Sequence, residues 1–260
     1  MGNIILACEI SWRQSSCDYA LRQLIFPHIK ANELYGGQIR LDKKYYDDKY
    51  DNFGLVMSEN GDWKNAEKMW IQVMDMRKKF LGAEHPDTLS SMANLAQTYS
   101  DLGKWNEAEQ LKVQVMDMNK KLLGAEHPDT LSSMGNLAST YRDQGKWNKA
   151  EQLQVQVMDI RKRLLGPEHP STLISMRNLA STYGDQGKWN EVEQLEVQVM
   201  DMRKKLLAPE HLHTLNIMAH LASTYRDQGK WNEAEQLEVQ VMDMRKKLLG
   251  PEHSDTFNVR

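Results

Sequence analysis

Residues 103–124 read Gly-Lys-Trp-Asn-Glu-Ala-Glu-Gln-Leu-Lys-Val-Gln-Val-Met-Asp-Met-Asn-Lys-Lys-Leu-Leu-Gly. Ala108, Leu111, Val115, Met118 and Leu122 fall at three- and four-residue steps, which is one face of an α-helix. Near-copies begin at Gly61, Gly145, Gly187 and Gly229, so tryptophan recurs every 42 residues, at Trp63, Trp105, Trp147, Trp189 and Trp231. A second segment keeps the same step: Glu-His-Pro-Asp-Thr-Leu, closely followed by Asn-Leu-Ala-Ser-Thr-Tyr, as in 126–131 and 136–141. Self-similarity at a fixed period of ~20–50 residues marks a stacked array of one supersecondary unit.

The second segment is also helical. Pro86 suits a first helical position, where its missing N–H costs nothing, and Asp87 favours the positive end of the helix dipole. Leu89, Met92, Leu95, Ala96 and Tyr99 line one face, and Gly103 closes the helix. This is helix A of each repeat. Helix B runs from Trp105 to Gly124, with Lys120 and Lys121 complementing the dipole in its last turn. No strand signal occurs, so the expected fold is all-α, an α-solenoid superhelix of helical hairpins in which stacking supplies most of the stability. The repeated tryptophan is expected as a buried wedge between helix B and its own helix A. The recurring Val-Met-Asp-Met methionines are expected as adaptable packing.

These residues resemble tetratricopeptide repeats in their long, kinesin-light-chain-like form. The family pattern is met by Leu95, Ala96, Tyr99, Gly103, Trp105 and Ala108. The fourth copy has Val192 where the small residue belongs, which predicts a slightly opened hairpin. Val-Met-Asp-Met-Arg-Lys-Lys-Leu-Leu-Gly-Pro-Glu-His, together with Leu-Ile-Phe-Pro-His-Ile-Lys at 24–30, is also similar to the C-terminal sensor arrays of fungal NB-ARC or NACHT signalling ATPases. No phosphate-binding loop accompanies it: the repeated Gly-Lys is followed by Trp, not Ser or Thr. The resemblance implies a sensor or scaffold array, with a motor-cargo adaptor as the alternative.

Residues 1–42 are expected to be a lead-in, with a helix near 17–35 broken at Pro27. Residues 43–252 hold five repeats, the first of them worn, and 253–260 begin a sixth. A last helix B without a polar cap predicts either a truncated gene product or end-to-end self-association. The chain has 33 basic and 36 acidic residues and a net charge of -3, which gives no electrostatic case for nucleic acid or an anionic membrane. Its two cysteines, Cys8 and Cys17, fit a reducing compartment and form no zinc or disulfide framework. The apolar run Ile4–Cys8 is too short for a signal core, and no stretch reaches the ~20 apolar residues that span a bilayer. A cytoplasmic location is the expectation.

Candidate binding residues form an asparagine ladder on helix A: Asn52, Asn94, Asn136 and Asn178, with His220 in the fifth copy. An amide offers an acceptor and two donors, enough to pair both backbone groups of an extended peptide. In the similar kinesin-light-chain repeats the matching asparagine grips cargo peptides in this way; the other reading is a bond to the adjacent helix's backbone. Helix A also carries variable rows, Ala93, Gly135, Arg177, Ala219 and Ser100, Arg142, Gly184, Arg226, beside an acidic row at Asp101, Asp143, Asp185 and Asp227. Arg142, Arg177 and Arg226 either grip a carboxylate of an acidic peptide or pair with the neighbouring Asp.

The loop histidines His85, His127, His169, His211 and His253 are read as loop structure rather than metal ligands, although His211 and His213 form one close pair. Metal, cofactor and catalytic residues are therefore expected to be absent, because the carboxylates recur with the repeat and converge on no unique cleft. The expected function is non-enzymatic binding of an extended peptide or protein segment. A helical-repeat nucleic-acid binder is the alternative of another class.

Overall fold

The computed structural model describes residues Lys49 to Gly250, with side chains from Phe53 onward. The expected helix at 17–35, the cysteines, the motif at 24–30, the Asn52 side chain, His253 and the start of a sixth repeat lie outside them. Ten helices alternate along the described residues: α1 (Lys49–Glu59), α2 (Trp63–Phe80), α3 (Pro86–Asp101), α4 (Trp105–Leu123), α5 (Pro128–Asp143), α6 (Trp147–Leu165), α7 (Pro170–Asp185), α8 (Trp189–Leu207), α9 (Leu212–Asp227) and α10 (Trp231–Leu249). Odd-numbered helices are the A members and even-numbered ones the B members. There is no strand among the described residues. The chain folds as two compact units, one through Ser133 and one from Met134.

Local chemistry sets these boundaries. Each A helix with proline at its first position is preceded by histidine, and the His85, His127 and His169 Nδ1 atoms accept the N–H two residues on at 3.1–3.2 Å. The loop histidines are thus N-caps, satisfying one orphan donor each. His211 caps α9 in the same way, accepting from the His213 N–H at 3.1 Å, although Leu212 and His213 replace Pro and Asp there. Loss of Pro and Asp there leaves the cap and the register of the helix start unchanged. Two residues into each of these helices, a buried threonine hydroxyl donates to the carbonyl that ends the preceding B helix: Thr88 to Gly82, Thr130 to Gly124, Thr172 to Gly166 and Thr214 to Ala208, at 2.8–3.0 Å. At the A-to-B turn, Gly103 takes φ +72°, and the Lys104 N–H reaches back to the Tyr99 carbonyl at 2.8 Å.

The core of the first unit gathers Phe53, Val56, Met57, Ala66, Met69, Trp70, Val73 and Leu95. In the second, Leu173, Met176, Val199 and Ile217 form one cluster, and Leu215, Met218 and Val241 another. Met158, Met200, Met202 and Met244 pack against these two clusters as adaptable filler. The small position is the tight one: Ala66, Ala108 and Ala150 have no exposed surface, and Val192 is accommodated there with 4 % exposed.

The repeated tryptophan is not the buried wedge expected from the sequence. Trp63, Trp147 and Trp231 expose 39 %, 41 % and 66 % of their surface. Each opens its B helix at the first position, so the indole lies at the rim of the hairpin, and alanine one turn later fills the interface.

Candidate functional site

Asn94, Asn136 and Asn178 occupy one register position, nine residues into α3, α5 and α7 from the proline that opens each. Asn94 and Asn178 are half-buried and Asn136 is exposed. Their side-chain amides take no hydrogen-bond partner among the described residues, whereas the backbone carbonyls of Asn94 and Asn136 accept from Thr98 and Thr140. Among the described residues these amides make no bond to a neighbouring helix's backbone. His220 holds the same position on α9. Desolvation and the like charges of Arg177 and Arg245 hold its imidazole below the usual range.

The three arginines separate. Arg142 lies between two members of the acidic row, with Nη2 3.8 Å from Asp143 Oδ1 and Nε 3.6 Å from Asp185 Oδ2. Together with Gly145 and Trp147 these residues line an open depression of about 590 Å³. Arg226 Nε faces Glu238 Oε1 at 3.4 Å. Arg177 is exposed and has no ion pair among the described residues. Burial lowers the Arg203 guanidinium, and the like charge of Arg177 adds to that effect.

Two sets of residues were missed by sequence reasoning. The first is the arginine that precedes the basic pair in the last turn of helix B. Arg77, Arg161 and Arg203 reach the next A helix and donate to the carbonyls of Asp87, Ser171 and His213 at 3.1–3.3 Å. The second is the most varied position of helix B: Trp70, Lys112, Gln154, Glu196 and Glu238. Its side chains meet the variable row of helix A, since Lys112 Nζ donates to Ser100 Oγ at 3.0 Å and Glu238 pairs with Arg226. Glu196 has no cationic partner among the described residues; its Oε2 accepts from Thr224 Oγ1 at 2.7 Å. Burial pushes this carboxyl up to about 7 against the opposing effect of the threonine hydroxyl. The available signal was charge variation at fixed phase in otherwise near-identical copies.

No three His, Cys, Asp or Glu side chains converge as a metal site among the described residues. No helix among the described residues is long and apolar enough to cross a membrane.

A tetratricopeptide-repeat model matches residues 48–121, 102–163 and 129–205, and a second such model matches 214–255. The chain belongs to the tetratricopeptide-repeat family, whose members are in general non-enzymatic scaffolds for protein–protein interaction. Among solved structures it is similar to the nearly identical TPR-like repeats of a putative kinesin light chain from Podosopora anserina, at 34 % identity and a TM-score of 0.71, covering 77 % of this chain and 95 % of that one. A substituted form of the same repeats matches at the same identity and TM-score, over 76 % and 94 %. BtubC (BKLC) from P. vanneervenii shares the fold, at 17 % identity and TM-score 0.67 over 90 % and 88 %. No curated protein matches the chain.

Proposed function

We propose that the protein is a non-enzymatic recognition module that binds an extended peptide segment of a partner along its A helices. Asn136 and Asn178 of the second unit pair the ligand's main chain, Asn94 is the corresponding amide of the first unit, and His220, Arg142, Arg177 and Arg226 set selectivity at the positions where the copies differ. The observation that supports this reading is the set of three register-matched amides whose donors and acceptors have no partner among the described residues. An amide that pairs both an N–H and a C=O of an extended strand gives grip without sequence preference, and neighbouring side chains add the preference. The role is that of a sensor or scaffold array. A cargo-adaptor role is the second reading, favoured by the likeness to the Podosopora anserina repeats.

The test is a panel of pooled peptides against pooled oligonucleotides, each at two salt concentrations. Peptide binding is expected, and replacing Asn136 and Asn178 together by Ala should abolish it with helicity unchanged by circular dichroism. Undiminished affinity in that double variant would remove the ladder from the account. Binding confined to oligonucleotides, and weakening steeply with salt, would replace the whole reading with nucleic-acid recognition.

A further inference from the structure

Two repeats of the second unit carry a carboxylate at the same place on helix B, Glu196 on α8 and Glu238 on α10. In the later repeat the A helix supplies its partner, with Arg226 Nε 3.4 Å from Glu238 Oε1. In the earlier repeat the residue at the position of Arg226 is Gly184. Glycine offers no side chain, so among the described residues Glu196 keeps the Thr224 hydroxyl alone, on Oε2. A Cβ built on Gly184 would have the Trp189 indole as its nearest neighbour outside its own helix, with Cζ3 at 3.5 Å and Cη2 at 3.9 Å. No other side chain comes within 4 Å of that position. The recess left at position 184 is thus flanked by the Trp189 indole, and the register it shares with Arg226 and Glu238 turns it toward the Glu196 carboxylate; an indole and a carboxylate are the two groups that attract a planar cation.

We infer that Gly184, Glu196 and Trp189 form a site for an arginine side chain of a bound peptide, its guanidinium taking the part that Arg226 plays in the next repeat. The inference rests on the peptide-binding reading and names one anchor of the ligand. Three features support it independently of the ladder. The pairing geometry is present one repeat later in the same unit. The carboxyl has no cation of its own among the described residues, and burial holds it well above the usual carboxylate range, as expected of a carboxylate lacking a counter-charge. A flat guanidinium also stacks on an indole while donating two hydrogen bonds to a carboxylate, which an ammonium cannot do as well.

The probe is acetyl-Gly-Arg-Gly-amide, titrated at pH 8.5 into the full chain and followed by the Trp189 indole N–H resonance. A saturable shift is expected, with its affinity at least tenfold weaker in Glu196→Gln and in Gly184→Arg, where the chain's own arginine fills the recess. The neutral citrulline tripeptide should produce no saturable shift. Equal affinity of the probe for Glu196→Gln and the wild type, equal binding of citrulline, or no saturable shift at all would overturn the site. Circular dichroism checks that both variants fold; Glu196→Gln alone decides if Gly184→Arg does not. The two readings fail separately: a saturable, Glu196-dependent tripeptide shift alongside undiminished pooled-peptide affinity in the Asn136→Ala/Asn178→Ala variant would retire the ladder and keep the arginine site, and the converse pair of results would retire the arginine site alone.

Discussion

Gly54 and Trp70 share one space. A Cβ on Gly54 would stand 2.5 Å from Cε2 and Cζ2 of the Trp70 ring, which is 2 % exposed in the core of the first unit. Later repeats have Ala96, Ala138, Ala180 and Ala222 at the glycine's position, and Lys112, Gln154, Glu196 and Glu238 at the tryptophan's. The indole therefore requires the glycine. Gly54→Ala should cost about 1–3 kcal/mol in the wild type by overpacking. In a Trp70→Gln background the same change should cost close to nothing. Urea denaturation of the four proteins in this cycle measures the coupling, and additive effects would contradict the shared space.

Lys188 ties two repeats together at their turn. Its Nζ lies 2.8 Å from Glu151 Oε2 and 5.2 Å from the Tyr183 ring centroid; Lys104 with Glu67 and Tyr99, and Lys230 with Glu193 and Tyr225, repeat the arrangement. The Lys188 hydrogen bond holds the Glu151 carboxyl below its usual range, and Lys230 does the same for Glu193. A depressed carboxylate contributes stability above its unfolded value of 4.5, lost as pH falls through the lower native value. Lys188→Met should lower the melting temperature at pH 7, and the deficit should shrink in 1 M salt and in acid below that value. A deficit independent of both would assign the lysine a packing role instead.

What the sequence disclosed, and what it hid, follows from how local each signal is. Helix boundaries were legible because Pro86, Trp105 and Gly124 act within one turn of themselves, and α3 and α4 begin and end accordingly. The indole's exposure was hidden because periodicity shows which residues share a face, while Trp105 and its equivalents stand at the first helical position, where the face has barely formed. Histidine caps were hidden because the residue is rarely chosen for that task; the clue was its fixed place just before the proline. The lysine ties span 37 residues, so they emerge only when one repeat is laid against the next. For the candidate ladder, the sequence aligned the asparagines, but the lack of partners for their amides is a matter of three-dimensional surroundings.

Ala208 holds a conformation that suits glycine. It ends α8 at φ 80° and ψ 156°, where Gly124, Gly166 and Gly250 end the equivalent helices at φ 89–94° and ψ 162–164°. The Thr214 hydroxyl on its carbonyl and the His211 cap that follows hold this turn in the common geometry. A side chain in this region costs about 1–3 kcal/mol, partly offset by glycine's greater freedom in the unfolded chain. Ala208→Gly should therefore stabilise the protein by about 1 kcal/mol, read as a higher urea midpoint at constant m-value. A neutral or lower midpoint would mean that the turn relaxes around alanine at no cost.

Thr224 Oγ1 and Glu196 Oε2 lie 2.7 Å apart, a contact that favours the ionised carboxylate, yet burial prevails and raises the carboxyl to about 7. The native state accordingly binds more protons than the unfolded chain between the ordinary value of 4.5 and about 7. Stability contributed by protonated Glu196 is complete below 4.5 and is lost as pH rises through that window, the reverse of the Glu151 case. A shift of this size corresponds to about 3 kcal/mol at most. Glu196→Gln places the residue of the preceding repeat, Gln154, in the same position and removes the titration. The variant should be more stable than the wild type at pH 8.5, by up to that amount, and close to it at pH 4.5. Comparing the two proteins at each pH cancels the groups that titrate over the same range, such as His220. If the difference is the same at both values, Glu196 ionises outside this window and its burial is not the cause of any pH dependence.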